Sequence, residues 1–134
     1  MKFILDNIWL VLLALASGTM LLWPQLLGGA KKQVGTLEAT QLINRNDAVI
    51  VDVREDSEFA QGHIPNAKHI PLRQLPSRLK ELEKFKAKPI IVNCRSGNRS
   101  AKACGILNKH GFENVHNLAG GITAWAQAGL PLEK

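Results

Sequence analysis

A chain of 134 residues with 17 Lys and Arg against 11 Asp and Glu, a net charge of +6, has room for one compact domain, and a segment given to a membrane still leaves about 100 residues for a core. The basic residues are scattered among acidic ones and aromatics make up only 5% of the chain, which argues against a nucleic-acid-binding face. Cys94 and Cys104 form no disulfide framework or Cys-x-x-Cys pair, and the dispersed His63, His69, His110 and His116 leave no tetrahedral zinc pattern, so neither metal nor cofactor is expected.

The first element belongs to a different solvent. From Ile8 to Leu27, "IWLVLLALASGTMLLWPQLL", the chain carries no charge, and a helix of that length spans about 30 Å, the thickness of a bilayer's hydrocarbon core. Residues 1–30 are therefore expected to be a single-pass transmembrane anchor, with Trp9 and Trp23 at interfacial depth and Pro24 ending or kinking the helix. A cleaved signal peptide is the competing reading, because Ala14-Leu15-Ala16 resembles a small-x-small cleavage site. Against it, apolar residues resume at Met20 to Trp23 and the leading positive region is Lys2 alone. Lys31, Lys32 and Arg45 follow the segment, so the positive-inside rule places residues 31–134 in the cytoplasm, at the inner membrane if the source is bacterial. A reducing compartment suits a working free thiol.

After "GGAKKQVG" the chain alternates short β-branched runs with amphipathic stretches, the pattern of a parallel sheet with helices on both faces. Val34 can add an edge strand. Thr36 can cap a helix presenting Leu37, Leu42 and Ile43. "AVIVDV", residues 48–53, reads as a strand buried on both faces. "EDSEFAQG" is a short helix closed by Gly62, "AKHIP" a short strand and "LPSRLKELEKF" an amphipathic helix. "PIIVN", residues 89–93, is the second central strand. "RSAKACGILNKHG" is a helix beginning near Ser100 and stopped by Gly111, "NVHNL" a last strand, and "GITAWAQAG" a helix ended by Gly129 and Pro131. The expected fold is α/β, three layers around a five-stranded parallel sheet, preceded by one transmembrane helix.

Binding sites in open parallel sheets lie at the carboxyl ends of strands, and Cys94 stands at one. Free cysteines usually serve as small core hydrophobes, and Cys104, beside Ala103, Ile106 and Leu107, fits that description. Cys94 does not, because Arg95, Ser96, Gly97, Asn98 and Arg99 follow it without an apolar pattern. If those residues curl between strand and helix, their backbone N–H groups form an anion-binding nest backed by the helix N-terminus near Ser100. Such a cradle favours thiolate over thiol, and a thiolate is both nucleophile and leaving group.

Three blocks in order resemble a known family. "VDVREDSEFAQGHIPNAKHIPL" at 51–72, "CRSGNRS" at 94–100 and "LAGGITAWAQAGLP" at 118–131 make the chain from about Val34 to Glu133 similar to a single-domain rhodanese, a sulfurtransferase. Asn66 stands where that family usually has glycine, and Asn tolerates the left-handed backbone such a turn needs. The resemblance implies double displacement: Cys94 takes sulfane sulfur from a small anionic donor such as thiosulfate, holds it as a persulfide, and passes it to cyanide, a thiol or a protein acceptor. Arg95, Ser96, Gly97, Asn98, Arg99 and Ser100 would bind donor and persulfide, with Arg99 as fit to brace the loop as to contact substrate. Asp52, Arg54 and Glu58 read as a supporting ion-pair and hydrogen-bond network, and His63 as a turn-stabilising side chain. Two rival readings are a membrane-tethered rhodanese-like binding or regulatory module and a cysteine phosphatase. Phosphatase loops of this kind hold five residues between cysteine and arginine, whereas four separate Cys94 from Arg99.

Overall fold

The computed structural model describes residues 2–27 and 33–134, with side chains described for 2–18 and 33–134. The chain divides into two units, Met1–Ala30 and Lys31–Lys134. In the first, helix α1 (Lys2–Asp6) meets helix α2 (Ile8–Leu27) at Asn7, whose side-chain amide donates to the Phe3 carbonyl at 3.0 Å. Phe3, Leu5, Trp9, Leu13 and Leu15 are exposed.

No helix among the described residues is long and apolar enough to cross a membrane, so the expected spanning helix at 8–27 is not supported. The described side chains of α2 end at Gly18. The α2 backbone continues through Pro24 to Leu27 rather than ending at the proline. The Trp23 side chain and the flanking Lys31 and Lys32 lie outside the described residues.

The second unit is a five-stranded parallel sheet in the order β1-β5-β4-β2-β3, built from β1 (Gln33–Val34), β2 (Val49–Asp52), β3 (Lys68–His69), β4 (Ile90–Asn93) and β5 (Val115–Leu118). The most apolar strand, "IIVN", takes the centre, where every residue is buried, because only a central strand is covered on both faces. Alternation along the strands splits the core in two. Val51, Ile90, Val92 and Val115 pack with Ala103 and Leu107 of helix α6 (Asn98–Lys109) and with Leu75, Leu79 and Leu82. Ile50, Ile91, Val34 and Leu118 pack on the other face with Ala39 of helix α3 (Thr36–Asn46) and Trp125 of helix α7 (Gly121–Gln127).

Two local expectations change. The N-cap of α3 is Gly35, without a side-chain cap. Thr36 lies inside the first turn, where its carbonyl accepts the Thr40 hydroxyl at 2.8 Å. The single helix expected over "LPSRLKELEKF" is a short α-helix, α5 (Leu75–Arg78), followed by a 3₁₀ segment, Leu79–Phe85. A three-residue turn places Leu79, Leu82 and Phe85 on one side, and all three face the core. The remaining short helix, α4 (Asp56–Gln61), ends at Gly62 and is opened by a capping box between Glu55 and Glu58.

Candidate active site

The carboxyl edge of the sheet gathers Asp52 from β2, Asn93 from β4 with Cys94 just after it, and Asn117 from β5, since Asp52 pairs with Asn93 and Val92 with Asn117 in register. From Cys94 the chain makes one tight curl. Gly97 has φ 109°, in the region that disfavours side chains, and turns the backbone straight into α6, which starts at Asn98 rather than near Ser100. The curl aims the Gly97 N–H at the sulfur, donating to Cys94 Sγ at 3.0 Å.

The outward carbonyls of this loop are occupied by neighbours. Ile122 N–H donates to the Cys94 carbonyl at 2.9 Å and Thr123 N–H to that of Arg95 at 3.3 Å, and the Thr123 hydroxyl adds 3.0 Å to the Arg95 carbonyl. This close seat of α7 requires Gly121, because a Cβ there would collide with the Cys94 and Arg95 carbonyl oxygens. On the opposite side, the Asn117 side-chain N–H donates to the Gly97 carbonyl at 3.0 Å. With its carbonyls tied outward, the loop presents N–H groups to the thiol.

Cys94 is 1% exposed. Burial pushes its thiol up, but the Ser100 hydroxyl and the backbone N–H groups of Ser100, Gly97 and Ser96 outweigh that and hold it below its ordinary value. Ser100 Oγ lies 3.4 Å from Cys94 Sγ. Hydrogen bonds to the anion are the physical reason, and a lowered thiol is what a nucleophilic cysteine needs near neutral pH.

The two arginines of the loop are placed differently. Arg95 is exposed and lines a cleft of about 430 Å³ with Arg54, Gln61, Ile122 and Thr123. Its guanidinium has no ion-pair or hydrogen-bond partner among the described residues, so it is available to an anion. Arg99 is engaged: its two terminal nitrogens donate to the two carboxylate oxygens of Glu58 at 2.7 and 2.9 Å. The Arg99 guanidinium holds the Glu58 carboxyl down to about 2. This bidentate fork ties α6 to α4.

Asp52 and Arg54 lie beneath, at 0% and 5% exposure. Arg54 Nη2 reaches Asp52 Oδ2 at 2.8 Å and the Gly62 carbonyl at 2.7 Å, so a buried charge pair with its hydrogen bonds filled joins the end of β2 to the end of α4. His63 stacks on Phe59 with ring centroids 3.9 Å apart and His69 stacks on the same ring at 4.3 Å. His63 also pairs with Glu133 at 3.3 Å, while its backbone exchanges two 2.8 Å hydrogen bonds with that residue. His63 thus stands in an isolated antiparallel bridge to Glu133, and the turn lies just after it, where Asn66 adopts φ 65°. Ser96 and Asn98 are exposed on the rim of the loop.

Sequence reasoning did not single out Asn117, Thr123 or the Arg99–Glu58 pairing. For Asn117 a signal existed: it is a polar side chain on the inward face of "VHNL", and it is 2% exposed. Among the described residues no group of acidic, histidine and cysteine side chains is placed to hold a metal ion.

Residues 36–128 match the family of the rhodanese-like domain. A protein named sulfurtransferase from Allochromatium vinosum is 42% identical over 92 residues, covering 69% of this chain and 84% of that protein. The thiosulfate sulfurtransferase GlpE of Coxiella burnetii is 35% identical over 94 residues, covering 70% and 86%. The crystal structure of a rhodanese-related protein from Thermoplasma volcanium superposes with a TM-score of 0.69 at 32% identity, over 76% of this chain and 97% of that one.

Proposed function

The chain belongs to the rhodanese-like domain family, and from that premise we propose that it is a sulfurtransferase acting through a persulfide on Cys94. The observation that carries this reading is the Gly97 N–H directed at Cys94 Sγ at 3.0 Å, in a loop whose Cys94, Arg95 and Gly97 carbonyls accept from other partners. The Cys94 thiolate attacks the outer sulfur of a donor such as thiosulfate. A new S–S bond forms to Cys94, the donor's own S–S bond breaks, and sulfite departs with the electron pair. A thiophilic acceptor, cyanide or a thiol, then attacks the outer persulfide sulfur and returns the thiolate. No external oxidant or reductant enters the cycle, because sulfane sulfur moves at one oxidation level.

Arg95 binds the incoming anion as the free guanidinium of the cleft. Arg99, held by Glu58, braces the loop. The loop amides take the negative charge of the terminal persulfide sulfur, as an oxyanion hole takes that of an alkoxide.

Incubation with thiosulfate is expected to add about 32 Da to Cys94, one sulfur atom, and a protein thiol or cyanide to remove it, with Cys94→Ala showing neither. Absence of the adduct with cellular function unchanged in Cys94→Ala would point to a binding module. Aryl phosphate turnover lost in Cys94→Ser would point to phosphatase chemistry.

The N-terminal unit supports a tethered location, with the sulfurtransferase domain on the cytoplasmic side. The support is the uncharged run from Ile8 to Leu27 and the exposure of Phe3, Leu5, Trp9, Leu13 and Leu15, since helices apolar all round are stable only when covered by protein or lipid. The full chain is expected to sediment with membranes and resist carbonate extraction. Release of a shortened form would support a cleaved signal instead.

A further inference from the structure

Four side-chain and backbone groups close a ring around the nucleophile. Gly97 N–H donates to Cys94 Sγ at 3.0 Å, Cys94 Sγ meets Ser100 Oγ at 3.4 Å, Ser100 Oγ donates to Asn117 Oδ1 at 2.5 Å, and Asn117 Nδ2 returns to the Gly97 carbonyl at 3.0 Å. Ser100 is 0% and Asn117 2% exposed, so bulk water does not arbitrate the ring.

The proton count in this ring is short by one. A serine hydroxyl has a single proton to give. The Asn117 amide cannot turn over to offer its N–H to Ser100 without losing the Gly97 carbonyl, so Oδ1 remains aimed at the hydroxyl as an acceptor. While the Ser100 proton rests on Asn117, the hydroxyl shows Cys94 only lone pairs, which suits a protonated thiol donating toward Oγ. Once the sulfur is an anion, as thiolate or persulfide, those lone pairs face a negative charge, and the same proton has to swing from Asn117 to sulfur.

We propose that Asn117 is a positioning residue that competes with Cys94 for the single Ser100 proton, and so sets how readily the nucleophile becomes anionic. Its other hand, on the Gly97 carbonyl, couples that competition to the loop curl. β5 thereby acts through Ser100 on the cysteine that follows β4. This role rests on Cys94 being the working nucleophile, as proposed above, but its test reads thiol titration rather than sulfur transfer, so the two can fail separately.

The other charged and titratable groups near Cys94 are Arg95 in the same loop, Arg99 of α6 with its partner Glu58 of α4, the Asp52–Arg54 pair at the end of β2, and the Cys104 thiol further along α6. None hydrogen-bonds Ser100 or Asn117, so substitutions at Asn117 act on the ring without removing a member of these pairs.

The experiment follows the rate of Cys94 alkylation by iodoacetamide against pH in the full chain carrying Cys104→Ala, with folding checked by circular dichroism. Asn117→Asp keeps the side-chain outline and makes the competitor anionic, and it gives up the N–H donated to the Gly97 carbonyl. Its midpoint is expected to rise by about one pH unit, roughly a tenfold slower reaction at pH values below both midpoints. Adding Ser100→Ala is expected to remove most of that difference, because the proton being contested is gone. Asn117→Ala, which deletes the competitor and leaves the proton to sulfur, is expected to move the midpoint down, and this arm stands if the Asp variant does not fold. A midpoint unmoved by Asn117→Asp, a shift that survives Ser100→Ala in full, or an Asn117→Ala midpoint that rises as far as that of Ser100→Ala would each overturn the proposal.

Discussion

The two thiols of this protein sit within ten residues of each other, Cys94 just before α6 and Cys104 inside it, and they are driven in opposite directions. Burial pushes the Cys104 thiol up to about 12. Cys94 is the more buried of the two, yet its thiol lies below the ordinary value. Exposure would rank them the other way round. The difference lies in what each sulfur meets once water is removed: Cys104 packs against the aliphatic core, whereas Cys94 meets N–H groups that the loop cannot spend elsewhere. A low-dielectric site amplifies whatever polarity it contains, so the same burial that silences one cysteine strengthens the hydrogen bonds that activate the other.

The sharpest way to break this comparison is chemical. At pH 7 iodoacetamide is expected to label Cys94 faster than Cys104 by at least about 10³-fold, reflecting thiolate fraction, as read by peptide mass spectrometry. In strong denaturant both thiols return to the ordinary value near 8.5 and the ratio should collapse toward about one. Equal labelling of the native protein would sink the contrast.

A smaller effect separates the two ends of α6 by stability. Its first turn is held to α4 by the Arg99–Glu58 fork, whereas the Cys104 side chain packs against the core. The Glu58 carboxyl, ordinarily near 4.5, is held down to about 2 in the fold. A depressed folded value means that the pair's stabilisation is complete above about pH 4.5 and is lost as the pH falls through about 2. Both side chains are near one-third exposed, so Glu58→Gln should cost about 1 kcal/mol at pH 7 after solvent screening, and little once the pH is well below the folded value of about 2. Cys104→Ala, which removes one partly buried sulfur, should cost about 1 kcal/mol or less, with no change across that range. Urea titrations at pH 7 and below pH 2 measure both. A Glu58→Gln deficit that persists at the lower pH would show that the side chain acts by packing rather than by charge.

Much of the site was legible because it is local in the chain. A cysteine followed by Arg, Ser, Gly, Asn and Arg, with no apolar spacing, announces a loop that is not core, and Gly97 announces a turn. The order of strands and helices was readable for the same reason, since β-branched runs and amphipathic runs alternate. Where spacing and geometry diverge, the reading slipped. "LPSRLKELEKF" has a helical composition, but its Leu79, Leu82 and Phe85 are satisfied equally by a 3₁₀ segment, and only the neighbouring sheet selects one. The apolar run at Ile8 to Leu27 reads as a membrane span from composition alone, while no described helix is long and apolar enough to cross one.

By itself the sequence determined the chemistry on offer: one thiol at a strand end, amides curled by Gly97, and two arginines within reach. The tertiary structure alone decided how that chemistry is allotted. It committed Arg99 to Glu58, forty-one positions earlier, and left Arg95 without a partner among the described residues. It also brought Asn117 from a neighbouring strand to contest a proton on Ser100. These are long-range pairings between polar groups, and no local periodicity encodes them. They are set by parallel register and by the requirement that polar groups taken out of water find partners.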